Sequence, residues 1–185
     1  MTDEPPADPN HRASPGPLVQ MRVTSLTLDP LSGVPVVVLR DPAGKKELAV
    51  WVGNSEGAAI ATHLERIQLD RPSTHDLMRN LLITIGARLE RVEIHDVVDE
   101  TFYATLFVRG PGQLTAIAVD ARPSDAIALA LRASAPIFVA ERVLAEQGEP
   151  APHAVARGAA VVPGPRHDGG EGRLASVAHL AKWRM

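Results

Sequence analysis

The chain has no cysteine among its 185 residues, and aromatic residues make up only 3%. The first absence removes disulfides and thiolate metal sites and fits a reducing compartment. The second makes any core aliphatic, drawn from the Val, Leu, Ile and Ala that dominate a hydrophobic content of 45%. No apolar run is long enough to span a bilayer, and the first residues lack the basic and apolar zones of a signal peptide. A cytoplasmic protein with no membrane association is therefore expected. Excess positive charge is missing too. The formal net charge is −3, and residues 20–147 carry 13 Lys/Arg against 16 Asp/Glu. Proteins that coat nucleic acid broadly show a basic footprint, so only a local basic cleft is open to this chain.

What is present is a chain long enough for one good core, with length to spare at both ends. Residues 1–17 hold five prolines among Asp, Glu, Asn and Ser and read as a disordered tail. Residues 148–171 are rich in Pro, Gly, Ala and His and read as a linker. Residues 172–185 allow a short helix with Leu174, Val177, Leu180 and Ala181 on one side, either a tail or a docking element for a protein partner. Between them lies a single domain, residues 18–147.

Within it, strands are expected over residues 21–28, 35–40 and 47–52, the last two joined by the Asp41-Pro42-Ala43-Gly44 turn as an antiparallel hairpin. One helix opens at Gly53-Asn54-Ser55-Glu56, with Asn54 or Ser55 as its cap. A second opens at Arg71-Pro72-Ser73-Thr74-His75-Asp76, with Leu77, Leu81, Leu82 and Ile85 at helical spacing and Gly86 as a C-terminal cap. Residues 88–98, 101–108 and 114–119 follow as a meander with tight turns. A short strand over 136–140 and a helix over 141–147 close the domain. Trp51, Phe102, Tyr103 and Phe107 read as core residues of strands rather than base-stacking platforms.

The chain is organised around Val119-Asp120-Ala121-Arg122-Pro123-Ser124-Asp125-Ala126-Ile127-Ala128-Leu129-Ala130-Leu131-Arg132. Pro123 and Ser124 open a helix whose apolar positions run almost all the way round, which marks an element buried on most sides. Asp120, Arg122 and Asp125 stand at its mouth, an expensive arrangement unless they pair or meet a ligand. The tripeptide Arg71-Pro72-Ser73 repeats as Arg122-Pro123-Ser124, and each copy precedes a helix and an aspartate. Capping explains the proline and the serine but not the arginine.

These runs, with Trp51-Val52-Gly53-Asn54-Ser55-Glu56-Gly57-Ala58, Thr101-Phe102-Tyr103-Ala104 and Ala135-Pro136-Ile137-Phe138-Val139, resemble the bifunctional nuclease family in kind and order over roughly residues 19–147. One departure is Gly57, where the family usually carries alanine. The resemblance implies an α+β fold with a mixed, mainly antiparallel sheet and helices packed against it. It also implies DNase and RNase activity, with nucleic acid as substrate.

Phosphodiester hydrolysis needs an activated water, charge stabilisation at the phosphate and a proton for the leaving oxygen. The matching residues are Glu56, His75, Asp76, Asp120 and Asp125 as catalytic groups, and Arg71, Arg122 and Ser124 as phosphate-binding groups. Asp120 and Asp125 are candidate ligands for magnesium or manganese. Three helix N-termini near these motifs can bind phosphate through free N–H groups. Each residue also has a plainer reading. A first-turn carboxylate such as Glu56, Asp76 or Asp125 is favoured by the helix dipole alone, Arg122 can simply pair with Asp120 or Asp125, and His75 and Asp76 are neighbours that cannot face the same way. Two functions stand side by side: a metal-assisted nuclease, or a non-enzymatic regulatory or scaffolding domain acting through self-association or protein partners. Exposed sheet edges and apolar helices favour a homo-oligomer in either case.

Overall fold

A computed structural model describes residues 16–150 and 162–163. The N-terminal tail to residue 15 and the expected helix within 172–185 lie outside the described residues. The elements are β1 (Leu18–Leu28), β2 (Pro35–Arg40), β3 (Lys46–Trp51), α1 (Asn54–Leu64), α2 (Thr74–Thr84), β4 (Arg88–Val98), β5 (Thr101–Arg109), β6 (Ile117–Ala121), α3 (Pro123–Ala133), β7 (Ile137–Ala140), α4 (Glu141–Gln147), β8 (Glu149–Pro150) and β9 (Val162–Pro163). This is an α+β fold.

The strands form one sheet in the order β6-β5-β4-β7-β1-β2-β3-β8, with β9 also on β1. Every pairing is antiparallel except that of β4 with β7. The sheet is thus mixed and mainly antiparallel. The parallel pair is the one that needs a crossover, and α3 supplies it, since β6 and β7 flank that helix in the chain. Strand β1 links the two halves of the sheet. Its first four residues pair with β7, and after Met21 it pairs with β2, with an irregularity between Val23 and Ser25 that turns the strand. The segment expected as a linker contributes β8 to the edge of β3 and β9 to β1, so parts of it are extended sheet.

Helix α3 lies at the centre. Ala126, Ile127, Ala128, Leu129 and Ala130 are all buried, and they pack with Val92, Ile94, Ala104 and Leu106 of the sheet. Burying a side chain such as Ile127 or Leu129 is worth roughly 1.5–3 kcal/mol. Small residues dominate this helix because it has α1 on one flank, α2 on the other and strands beneath it. Helix α1 reaches over β1 and β2. It comes so close that a Cβ on Gly57 would stand 2.8 Å from the ring of Pro35. Gly57 is therefore a spacing residue and more than a weak helix former.

Two expectations, the helix caps and the place of Trp51, are corrected by packing and backbone geometry. The caps of α1 and α3 are Gly53 and Arg122, since the helices begin one or two residues earlier than the capping preferences of Asn54, Ser55 and Ser124 suggest. Leu77, Leu81 and Ile85 have the expected helical spacing and are exposed, because α2 packs chiefly on α3, with a smaller contact to β4. Trp51, at the end of β3, is exposed rather than core. By contrast Gly86 does follow α2 with a left-handed φ of +72°, the conformation that favours glycine.

Candidate functional site

The first turns of three helices are joined by side-chain contacts, and each carries a carboxylate at its third position, two of the three meeting on one arginine. These are Glu56 in α1, Asp76 in α2 and Asp125 in α3. The free N–H groups and dipole of a helix start favour negative charge there. The same feature recurs in three helices whose N-termini converge, and that convergence makes a site from an ordinary capping preference.

Arg122 joins two of the three. As the residue just before α3, its backbone is extended and its side chain turns back over the helix start. Its Nε donates to Asp125 Oδ2 at 2.7 Å, and its Nη2 donates to Asp125 Oδ1 at 3.1 Å and to Glu56 Oε1 at 2.6 Å. The Asp125 contact is the bidentate fork that guanidinium and carboxylate geometry allow. These bonds, from Asp125 first and Glu56 second, hold the guanidinium pKa well above its usual value. The Arg122 side chain is nevertheless 66% exposed, so a charged group fixed at two points faces solvent.

His75 brings in α2. Its Nε2 lies 3.2 Å from Asp125 Oδ1, and its Nδ1 is buried with no hydrogen-bond partner among the described residues. Burial pushes the Asp125 carboxyl up, but the bonds from Arg122 and His75 outweigh it and hold the group below its usual range. The chain Glu56–Arg122–Asp125–His75 therefore links all three helices.

Asp76 points elsewhere, as adjacent helical positions require. Asp76 Oδ2 accepts from the backbone N–H of Ser73 at 3.0 Å and from its hydroxyl at 2.6 Å, while Oδ1 accepts from Arg132 Nε at 2.6 Å. Burial works against its ionisation, yet the bonds from Ser73 and Arg132 bring its pKa down to about 2. The Arg132 side chain is only 3% exposed, and it also donates to the carbonyls of Ala128 at 3.1 Å and Ala59 at 3.0 Å. One buried guanidinium in the last turn of α3 thus ties α1, α2 and α3, at the opposite end of the helix from Arg122. Sequence reasoning missed Arg132 as a site residue. Its only signal was being the lone charge in the otherwise apolar second half of α3.

The two Arg-Pro-Ser copies turn out to start their helices in different frames. Ser73, the third residue, caps α2, whereas Arg122, the first residue, caps α3. Both frames nevertheless put aspartate at the third helical position. Arg71 is exposed ahead of α2 and makes none of these contacts, and Ser124 is buried in the first turn of α3.

Asp120 stands apart from the cluster. It pairs with Thr105 across the β5–β6 ladder, next to the Ala104–Ala121 and Leu106–Val119 pairs. Ala104 and Leu106 are core residues on the helix side, so strand alternation puts Asp120 on the other face. Among the described residues, no three His, Asp or Glu side chains stand together as a ready-made metal cage.

An α+β domain with a convergent, carboxylate-rich set of helix starts around an exposed arginine is the class that fold and site define. The chain belongs to the bifunctional nuclease domain family, whose pattern matches residues 37–152. It is 42% identical over 130 residues to an uncharacterized protein of Mycobacterium tuberculosis strain H37Rv, covering 70% of this chain and 76% of that one. It is 29% identical to Bifunctional nuclease 2 of Oryza sativa subsp. japonica over 130 residues, 67% of this chain and 40% of the rice protein. To Bifunctional nuclease 1 of Arabidopsis thaliana it is 26% identical over 137 residues, 73% of this chain and 41% of that protein. The chain therefore spans about two-fifths of these plant relatives.

Proposed function

We propose that the chain hydrolyses phosphodiester bonds in DNA and RNA at the Glu56–Arg122–Asp125–His75 cluster, with the help of a divalent cation. The observation that carries this reading is the exposed guanidinium of Arg122, held by two carboxylates where side chains join three helix starts. A fixed, outward-facing arginine suits a phosphate, to which Nη1, the nitrogen not bonded to Asp125 or Glu56, can donate. His75 steadies Asp125, and Arg132 with Asp76 keeps α2 in register with α3.

Charge arithmetic supports the cation. With His75 neutral, two carboxylates and one guanidinium leave the cluster at −1, which repels a phosphodiester. Glu56 and Asp125 are the carboxylates that would hold magnesium or manganese. Either ion can bind through one or two protein carboxylates, with water and phosphate filling the other positions. The bound ion would offset the negative charge and lower the pKa of a water nucleophile. In this reading Asp120 is a bystander on the far face of the sheet.

A second reading, a non-enzymatic regulatory or scaffolding domain, is favoured by one observation. Glu56, Arg122 and Asp125 already satisfy one another, as groups whose task is to lock helices together would. Cleavage of single-stranded DNA, duplex DNA and RNA, with magnesium, manganese or chelator, separates the two. The nuclease reading expects metal-dependent cleavage that falls about a hundredfold in Asp125→Asn and stays near wild type in Asp120→Asn. Equal weak cleavage by all three proteins, unaffected by chelator, favours the second reading.

A further inference from the structure

Helix α2 and strand β6 share an unusual property: each carries aliphatic side chains that the fold does not use. Leu77, Leu81, Ile83 and Ile85 of α2 and its C-terminal end are between 52% and 63% exposed, and Ile117 and Val119 of β6 are also exposed. Within α2 itself the only buried residue is His75. The helix is thus held to α3 largely by the His75–Asp125 and Asp76–Arg132 contacts, with Met78 and Leu82 partly buried beside them.

The two elements lie on the same side of the molecule. Ile117 and Val119 pair with Val108 and Leu106, which pack into the core, so they are on the helix-bearing face of the sheet. Helix α1 flanks α3 over β1 and β2, while the end of α2 stands against the β5–β6 turn, where a Cβ on Gly86 would be 3.6 Å from Pro111. Strand β6 is also a terminal strand of the sheet, and among the described residues nothing pairs with its outer edge. Its protection is slight, a short length of five residues and the single charge of Asp120. The sequence Ile117-Ala118-Val119-Asp120-Ala121 contains no lysine or proline.

We infer that this face is a two-fold interface between copies of the chain, in which β6 pairs antiparallel with β6 of a second copy and the exposed side of α2 packs across the junction. A strand edge is self-complementary under a two-fold axis, because the N–H and C=O groups of one copy meet those of the other. Leu77, Leu81 and Ile85 share one side of the helix, and with Ile117 and Val119 they expose on the order of 400 Å² per copy, which a polar rim extends toward the roughly 800 Å² per partner of a stable interface. A second copy satisfies both features in one contact, whereas a docked helix would leave the strand edge unpaired.

Sedimentation velocity of the full chain between about 1 and 100 µM tests this, since interfaces of such size commonly associate in that range or below. The expected result is a dimer. Leu81→Lys and Val119→Lys, both at exposed positions, should each weaken association about tenfold or more with unchanged far-UV circular dichroism. Leu31→Lys, on the exposed β1–β2 turn, should leave the dimer intact. A wild-type monomer across the range overturns the inference, as does a dimer insensitive to both lysine variants. A monomer whose α2 and β6 amides resist hydrogen exchange would also overturn it, and would assign the face to residues 173–182 of the same chain.

Discussion

Arg122 and Arg132, at the two ends of α3, show how burial divides the work of two arginines. Arg132 is enclosed, with its donors spent on Asp76 and on carbonyls of α1 and α3. Arg132→Ala would leave those acceptors without a partner, and we expect a loss of about 3 kcal/mol in a urea unfolding curve. Asp76 reports on the same tie through pH. Its folded pKa of about 2 lies below its unfolded value near 4, so its stabilising effect is complete above the unfolded value and disappears as pH falls toward 2. The melting temperature of the wild type should therefore fall between about pH 5 and 2 more steeply than that of Asp76→Asn. Equal slopes would remove Asp76 from the account. The acid groups themselves were legible in the sequence. Their partners were not, because Asp76 and Arg132 are 56 residues apart and only the packing of α2 on α3 joins them.

At the scale of elements, helix starts were easier to read than helix faces. Proline, serine and acidic residues announced α2 and α3 through local chemistry, and the run of alanine and leucine in α3 announced its burial. Periodicity in α2 showed an apolar stripe but could not show what it faces, since a core and an interface give the same spacing. Asp120 parts from Arg122 for a related reason: a single residue, Ala121, separates them, but the strand ends there and the chain turns into the helix. Glycine gives two tests at this scale. Gly86→Ala places a side chain in a left-handed conformation with only ordinary contact to Pro111, so it should cost about 1–2 kcal/mol from backbone strain. Gly57→Ala should also destabilise, although alanine is the better helix former, because its Cβ meets Pro35. Pairing it with Pro35→Ala should recover part of the loss, measured as a double-mutant cycle.

Across the whole molecule, the sheet supplies a platform and the helices supply the chemistry. Their order in space, α1 then α3 then α2, lets side chains join three N-termini and leaves α2 on the outer flank over the sheet's open edge. The α+β class and the mainly antiparallel sheet could be read from turn spacing and from the resemblance. The parallel β4–β7 pair and the joining of both halves through β1 could not, because they depend on contacts between distant segments. The central functional claim is that Arg122 meets the phosphate. Its most direct test is the cleavage rate of a short single-stranded nucleic acid by Arg122→Gln, with magnesium present and folding checked by circular dichroism. The account predicts a rate about a hundredfold below wild type in a normally folded protein. A folded Arg122→Gln protein that cleaves at the wild-type rate would contradict it.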